Sequence, residues 1–155
     1  MNPEIKLEKD FLDFISLCNK HEVDYLVIGG YAVAVHGYPR YTKDIDVSIG
    51  VSDENGKAMV KVMKEFGFGS LNLIKDDFTK KGGVIQLGYE PLRIDIINDL
   101  GGVSFEEAFK NKKVVLYVGV SINFISYEDL ISNKKLAARS QDIVDIEKLK
   151  ARNKN

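Results

Sequence analysis

A chain of 155 residues can bury a core of its own, and 45% hydrophobic with 29% charged residues is neither a disordered tail nor a membrane protein. Lysine and arginine number 22 against 23 aspartates and glutamates, so the net charge of -1 argues against a general nucleic-acid binder, which needs a strong positive field. The single cysteine, Cys18, rules out an internal disulfide; with a charged start, MNPEIKLEKDF, and no apolar run near the ~18 residues of a membrane span, a cytoplasmic protein without a membrane partner is expected.

Leu7, Phe11, Phe14, Ile15 and Cys18 recur at three- and four-residue steps and predict a first helix ending near His21, with Cys18 as a small core residue. Tyr25 to Ile28 predicts a short strand stopped by Gly29-Gly30, and a short helix over Tyr31 to His36 follows. Gly37, Pro39 and Thr42 mark a loop. Asp44 to Ile49 alternates polar and apolar residues, the period of a half-buried strand. Ser52 to Phe66 predicts a helix with Ser52 as N-cap and Gly67 as C-cap. Residues 68–82 are mixed and polar and predict no regular element. Val84 to Leu87 and Leu92 to Ile97 predict a hairpin around Gly88-Tyr89-Glu90-Pro91. A short helix over Phe105 to Lys110 and strands over Lys113 to Val118 and Val120 to Ile125 follow. Ser126 with Asp129 resembles a capping box, and a last helix is expected from about Lys134 to Lys150. No repeat or linker divides the chain, which reads as one α+β domain over residues 1–155.

Side chains alternate across a strand, so Asp44, Asp46 and Ser48 share one face while Ile45, Val47 and Ile49 share the other. Two carboxylates about 6–7 Å apart along a strand raise each other's pKa and disfavour folding unless a cation intervenes. Asp95, between Ile94 and Ile96, repeats the pattern. If the two strands are neighbours, three hard oxygen ligands suited to Mg²⁺ or Mn²⁺ meet on one open face. D-x-D on a strand is also the pattern of a solvated outer face. What separates the readings is the segment before it: Gly29-Gly30 ends a strand and opens a short helix, which lets backbone N–H groups approach a phosphate.

Gly29-Gly30, Asp44-Ile45-Asp46 and Asp95 together resemble the signature of the DNA polymerase beta-like nucleotidyltransferase superfamily. GGYAVAVHG and TKDID resemble small bacterial and archaeal members related to AbiEii-type toxins, as does the segment from Lys135 through Arg139 and Asp142 to Asp145. The resemblance spans roughly Val23 to Leu149. It implies a mixed β-sheet with helices packed on one face and an additional C-terminal helix. It also implies transfer of a nucleoside monophosphate from an NTP, with release of pyrophosphate. Asp44, Asp46 and Asp95 would hold Mg²⁺ or Mn²⁺, Asp95 would also act as base toward the acceptor hydroxyl, and Gly29 and Gly30 would cradle the triphosphate. The second glycine stands where other members carry a serine, so Gly30 offers only its backbone N–H. The acceptor is open: a small molecule, an RNA 3′ end or a protein, held by this chain, a protein partner or a second copy. The alternative is a non-catalytic or partner-dependent module of a toxin–antitoxin-type system.

On that last helix Lys135, Arg139 and Asp142 fall within about 60° of each other at 3.6 residues per turn. Lys135 and Arg139 are then candidate phosphate contacts, with Asp142 orienting one of them; the other reading is an exposed helix face with ordinary ion pairs. Arg40, Thr42 and Lys43 precede the D-x-D and could reach phosphates, or be solvated loop residues. Arg93 shares the face of Asp95 and could pair with it. No Cys/His cluster has zinc spacing, and no Gly-x-Ser-x-Gly elbow occurs.

Overall fold

The computed structural model describes residues 7–89 and 92–153. The Glu90-Pro91 turn of the expected hairpin and the first six residues lie outside the described residues. The chain runs α1 (Lys9–Lys20), β1 (Tyr25–Ile28), α2 (Gly29–Val35), β2 (Asp44–Ile49), α3 (Asp53–Phe66), α4 (Lys75–Thr79), β3 (Val84–Tyr89) and β4 (Leu92–Ile97). It continues with α5 (Phe105–Lys110), β5 (Lys113–Tyr117), β6 (Val120–Phe124), α6 (Tyr127–Ala137) and α7 (Ser140–Arg152). Among the described residues no helix is long and apolar enough to cross a membrane.

The local signals act as expected at most boundaries. The Ser52 hydroxyl accepts the Asn55 N–H at 3.1 Å, and Gly67 closes α3 at φ 99°. Ser126 accepts the Asp129 N–H at 3.2 Å and opens α6. The expected short helix begins earlier than Tyr31, because Gly29 and Gly30 are themselves its first turn. In the polar stretch 68–82 a 3-10 turn, Gly69–Leu71, precedes α4. Five residues are too few to show a period; α4 is held instead by Phe78, only 1% exposed, and by the Asn98 amide donating to the carbonyls of Phe78 and Lys80.

Six strands form one mixed sheet in the order β3-β4-β2-β1-β6-β5. β2 is antiparallel to β1 and parallel to β4, and β1 is parallel to β6. Ile45, Val47, Ile49, Ile94 and Ile96 are buried in the core, as are Phe14, Ile15 and Cys18 of α1 and Met59, Val62 and Met63 of α3. β1 is buried along its whole length. The α+β sheet and the extra C-terminal helical segment match the expected class.

The helix expected over about Lys134 to Lys150 is two helices. Ala138 turns left-handed at φ 52° and returns its N–H to the Lys134 carbonyl at 2.9 Å. Asp142 then accepts the Arg139 N–H at 3.1 Å, capping a new helix. Alanine in this conformation carries a steric cost that glycine does not. Ala138→Gly is therefore expected to stabilise the fold by about 0.5 kcal/mol, the left-handed strain relieved outweighing the added chain entropy. Urea unfolding with an unchanged m-value measures this, and a destabilised variant would refute it.

Candidate functional site

The parallel register of β2 on β4 sets Asp44 opposite Arg93 and Asp46 opposite Asp95. Side chains on directly paired positions point the same way, so the three carboxylates share one face beside the β1–α2 junction, where Ile28 pairs with Asp46. Burial first, then the charges of Asp95 and Asp44, push the Asp46 carboxyl up to about 7. Arg93 lies between the other two: its Nη2 donates to Asp44 Oδ2 at 2.8 Å, and Nε and Nη2 grip Asp95 at 2.9 and 3.1 Å. The expected Arg93–Asp95 pair is present, and its extension to Asp44 is new.

This donor set fits a hard divalent cation: three carboxyl groups on one face, whose mutual repulsion a bound cation would relieve. Among the described residues no group of three or more His, Cys, Asp or Glu is drawn together tightly enough to hold a metal. The guanidinium of Arg93 pairs with the Asp44 and Asp95 carboxylates.

Gly29 has φ 67°, and a Cβ there would overlap Oδ2 of Asp46, so only glycine lets that carboxylate lie against the backbone. A Cβ on Gly30 would fall 2.8 Å from the Thr42 Cβ. Thr42 in turn donates its hydroxyl to the Asp44 carbonyl at 3.2 Å, which ties the loop to the start of β2. Gly29, Gly30, Thr42, Asp44 and Asp46 are thus brought together, with Lys43 exposed beside them. Gly29→Ala is expected to cost about 2–3 kcal/mol, from left-handed strain plus displacement of the Asp46 carboxylate. Denaturant unfolding measures it, and a cost below about 0.5 kcal/mol would contradict the close approach.

The C-terminal candidates separate. Lys135 is exposed on α6, while Arg139 caps α7, so the helical wheel that joined them does not apply. The lysine inside the structure is Lys134, whose ammonium meets Asp142 at 3.1 Å and Asp145 at 2.9 Å with all three side chains at most 5% exposed. Asp142 also receives Arg139 Nε at 2.8 Å. Burial pushes both carboxyls upward, but hydrogen bonds from Arg139 and Lys134 to Asp142, and from Arg40, Lys134 and Gln141 to Asp145, hold them below the ordinary range. Arg139 itself is 78% exposed, and its charge acts to lower the Asp46 pKa, against the larger rise from burial and the neighbouring aspartates.

Arg40 grips Asp145 through Nε at 2.9 Å and Nη2 at 3.0 Å, clamping the loop before β2 onto α7. It is neither a solvated loop residue nor turned to the aspartates. Spacing gave no signal for this contact across 105 residues, nor for choosing Lys134 over its neighbour. His36 is structural: its ring nitrogen bonds the Ile125 carbonyl at 2.7 Å.

Residues 7–154 match the family described as "Nucleotidyltransferase of unknown function (DUF6036)". The chain belongs to this family. No curated protein matches it in sequence. Among solved structures, a Thermotoga maritima protein assigned as a nucleotidyltransferase superposes with TM-score 0.58 at 16% identity, over 89% of this chain and 88% of that one. An antigenic nucleotidyltransferase-like protein from Paracoccidioides brasiliensis gives 0.55 at 16%, over 92% and 77%. The lincosamide antibiotic adenylyltransferase LnuA, bound to lincomycin, gives 0.55 at 16%, over 93% and 96%. At this identity the likenesses show the fold. The DUF6036 chain thus has the nucleotidyltransferase architecture that its Gly-Gly and D-x-D motifs implied.

Proposed function

We propose that this DUF6036 protein moves a nucleoside monophosphate from an NTP to an acceptor hydroxyl. The observation that carries the reading is the register that sets Asp46 against Asp95 and Asp44 against Arg93, beside a glycine that admits the Asp46 carboxylate. Asp44, Asp46 and Asp95 would hold Mg²⁺ or Mn²⁺. Such an ion, when bound, acts as a Lewis acid that neutralises charge on the phosphates. Arg93, which pairs here with Asp44 and Asp95, would with Arg139 supply guanidinium charge toward the triphosphate. Gly29 and Gly30 let the backbone lie close to the phosphates, and Thr42 and Lys43 stand at the same edge. The acceptor oxygen bonds to the α-phosphorus, the bond to the β-phosphate oxygen breaks, pyrophosphate leaves, and Asp95 takes the hydroxyl proton. Asp142 keeps Arg139 in place; Lys135, exposed on a separate helix, has the weakest claim to the nucleotide.

For the acceptor, the fold likeness to an antibiotic adenylyltransferase supports a small hydroxylated molecule as the first class to test. An RNA 3′ end or a protein side chain, and a toxin–antitoxin setting of the AbiEii type, have no feature of this site in their favour. The test is thermal unfolding with Mg²⁺ and each of ATP, GTP, CTP and UTP, repeated on Asp46→Asn. A ligand that binds only the folded state raises the midpoint by mass action, about 2.7 kcal/mol of stabilisation at a hundredfold excess over Kd. A metal-dependent rise with one NTP, absent in the variant, is the expected result. No rise with any NTP would overturn the reading.

A further inference from the structure

A groove of about 730 Å³ lies between α3 and the segment 68–75 that follows it, away from the aspartate face. Its floor is apolar, formed by Val60, Met63, Phe68, Leu73 and Ile74, and Ile74 is left 58% exposed. Its α3 wall carries Lys57, Lys61 and Lys64, at i, i+4 and i+7, hence on one helical face. All three are exposed, and none forms an ion pair among the described residues. Lys75 on the facing wall is engaged, by Asp53 at 3.2 Å and Asp76 at 3.4 Å. Like charges at these spacings destabilise a helix. Asp53, Glu54 and Glu65 lie on the same helix, but α3 still keeps three lysines without ion pairs among the described residues along an apolar trough.

The row spans about 10 Å of helix at 1.5 Å per residue. A compact single-headed anion uses neither the length of that row nor the apolar trough beside it. A helix lying beside α3, with carboxylates at the same i, i+4, i+7 spacing, meets all three while its apolar side enters the trough. Nucleic acid would match the lysines, but the one ring in the floor, Phe68, is already stacked on Phe66 at 5.6 Å, and the rest of the floor is aliphatic. We propose that the α3 groove is a docking site for an acidic amphipathic helix of a partner protein.

The probe is a designed fluorescein-labelled helical peptide with leucines on one face and glutamates at i, i+4 and i+7 beside them, titrated with the full chain by anisotropy. Saturable binding is expected. It should weaken about tenfold or more in Lys61→Glu/Lys64→Glu, with a lysine version of the peptide then preferring the variant. Ile74→Gln, at an exposed position, should also weaken binding, and unfolding midpoints verify that both variants fold. Several outcomes each overturn the proposal: no saturable binding, binding indifferent to either substitution, or equal binding of a glutamate peptide lacking the leucine face. Tighter binding of a single-stranded RNA overturns it too. These residues do not touch the aspartate site, so failure here is distinct from failure of the transferase reading.

Discussion

Lys134→Met is expected to lower the stability of the fold by about 3–5 kcal/mol, because it leaves two buried carboxylates short of the cation between them. Lys134 joins Asp142 and Asp145 in a space where none of the three reaches water. Arg40 and Arg139 still reach one carboxylate each, but from the rim, with side chains 22% and 78% exposed. The pH response follows from the sign of the shifts. Both carboxyls lie below their ordinary 3.8, so their contribution is present above that value and is lost as pH falls through the lower folded values. Without the ammonium those folded values rise, and acid unfolding should begin at higher pH. Urea unfolding at neutral pH and an acid titration by circular dichroism check both parts. A variant within about 1 kcal/mol of wild type would mean that the ion cluster contributes little to holding α6 against α7.

Asp46→Asn should act in the opposite direction on stability while removing function. The folded protein keeps its Asp46 proton up to about 7, whereas the unfolded chain releases it near 3.8. Between those values the folded state binds more protons. Stability contributed by the protonated carboxyl is therefore fully present below 3.8 and is lost as pH rises through about 7. Asparagine cannot ionise, so the variant escapes this loss. At about pH 8.5 it should be more stable than wild type by about 2–4 kcal/mol, and at about pH 4 the two should converge. Under the proposed reaction the same change removes one metal-holding oxygen and lowers transfer by about a thousandfold or more. Denaturation curves at the two pH values test the electrostatics, where parallel behaviour would refute the shift. Wild-type transfer by the variant would refute the metal role.

Near-neighbour chemistry was legible in the residue order. Alternation placed Asp44 and Asp46 on one side of β2, Ser52 and Gly67 bounded α3, and Ser126 opened α6, because each effect acts within a few residues. The Gly-Gly pair ahead of D-x-D was also visible, and it corresponds to a steric demand of Asp46 on Gly29. The break at Ala138 was missed for a local reason. Alanine carries no signal for a left-handed turn, and the cap that starts α7 is an arginine backbone N–H bound by Asp142 rather than a serine or threonine.

By itself the sequence determined an α+β chain of amphipathic helices and alternating strands, with three aspartates on strands and a glycine pair able to approach them. Periodicity and capping are short-range and leave their mark on composition. Only the tertiary structure decided that β2 lies parallel to β4 with Asp46 against Asp95, and that Arg93 occupies the space between Asp44 and Asp95. It also decided that Lys134 rather than Lys135 is buried with Asp142 and Asp145, and that Arg40 reaches across 105 residues to Asp145. Strand order and ion pairing between distant segments depend on how whole faces pack together, and adjacent lysines in a sequence differ only in which way the helix turns them.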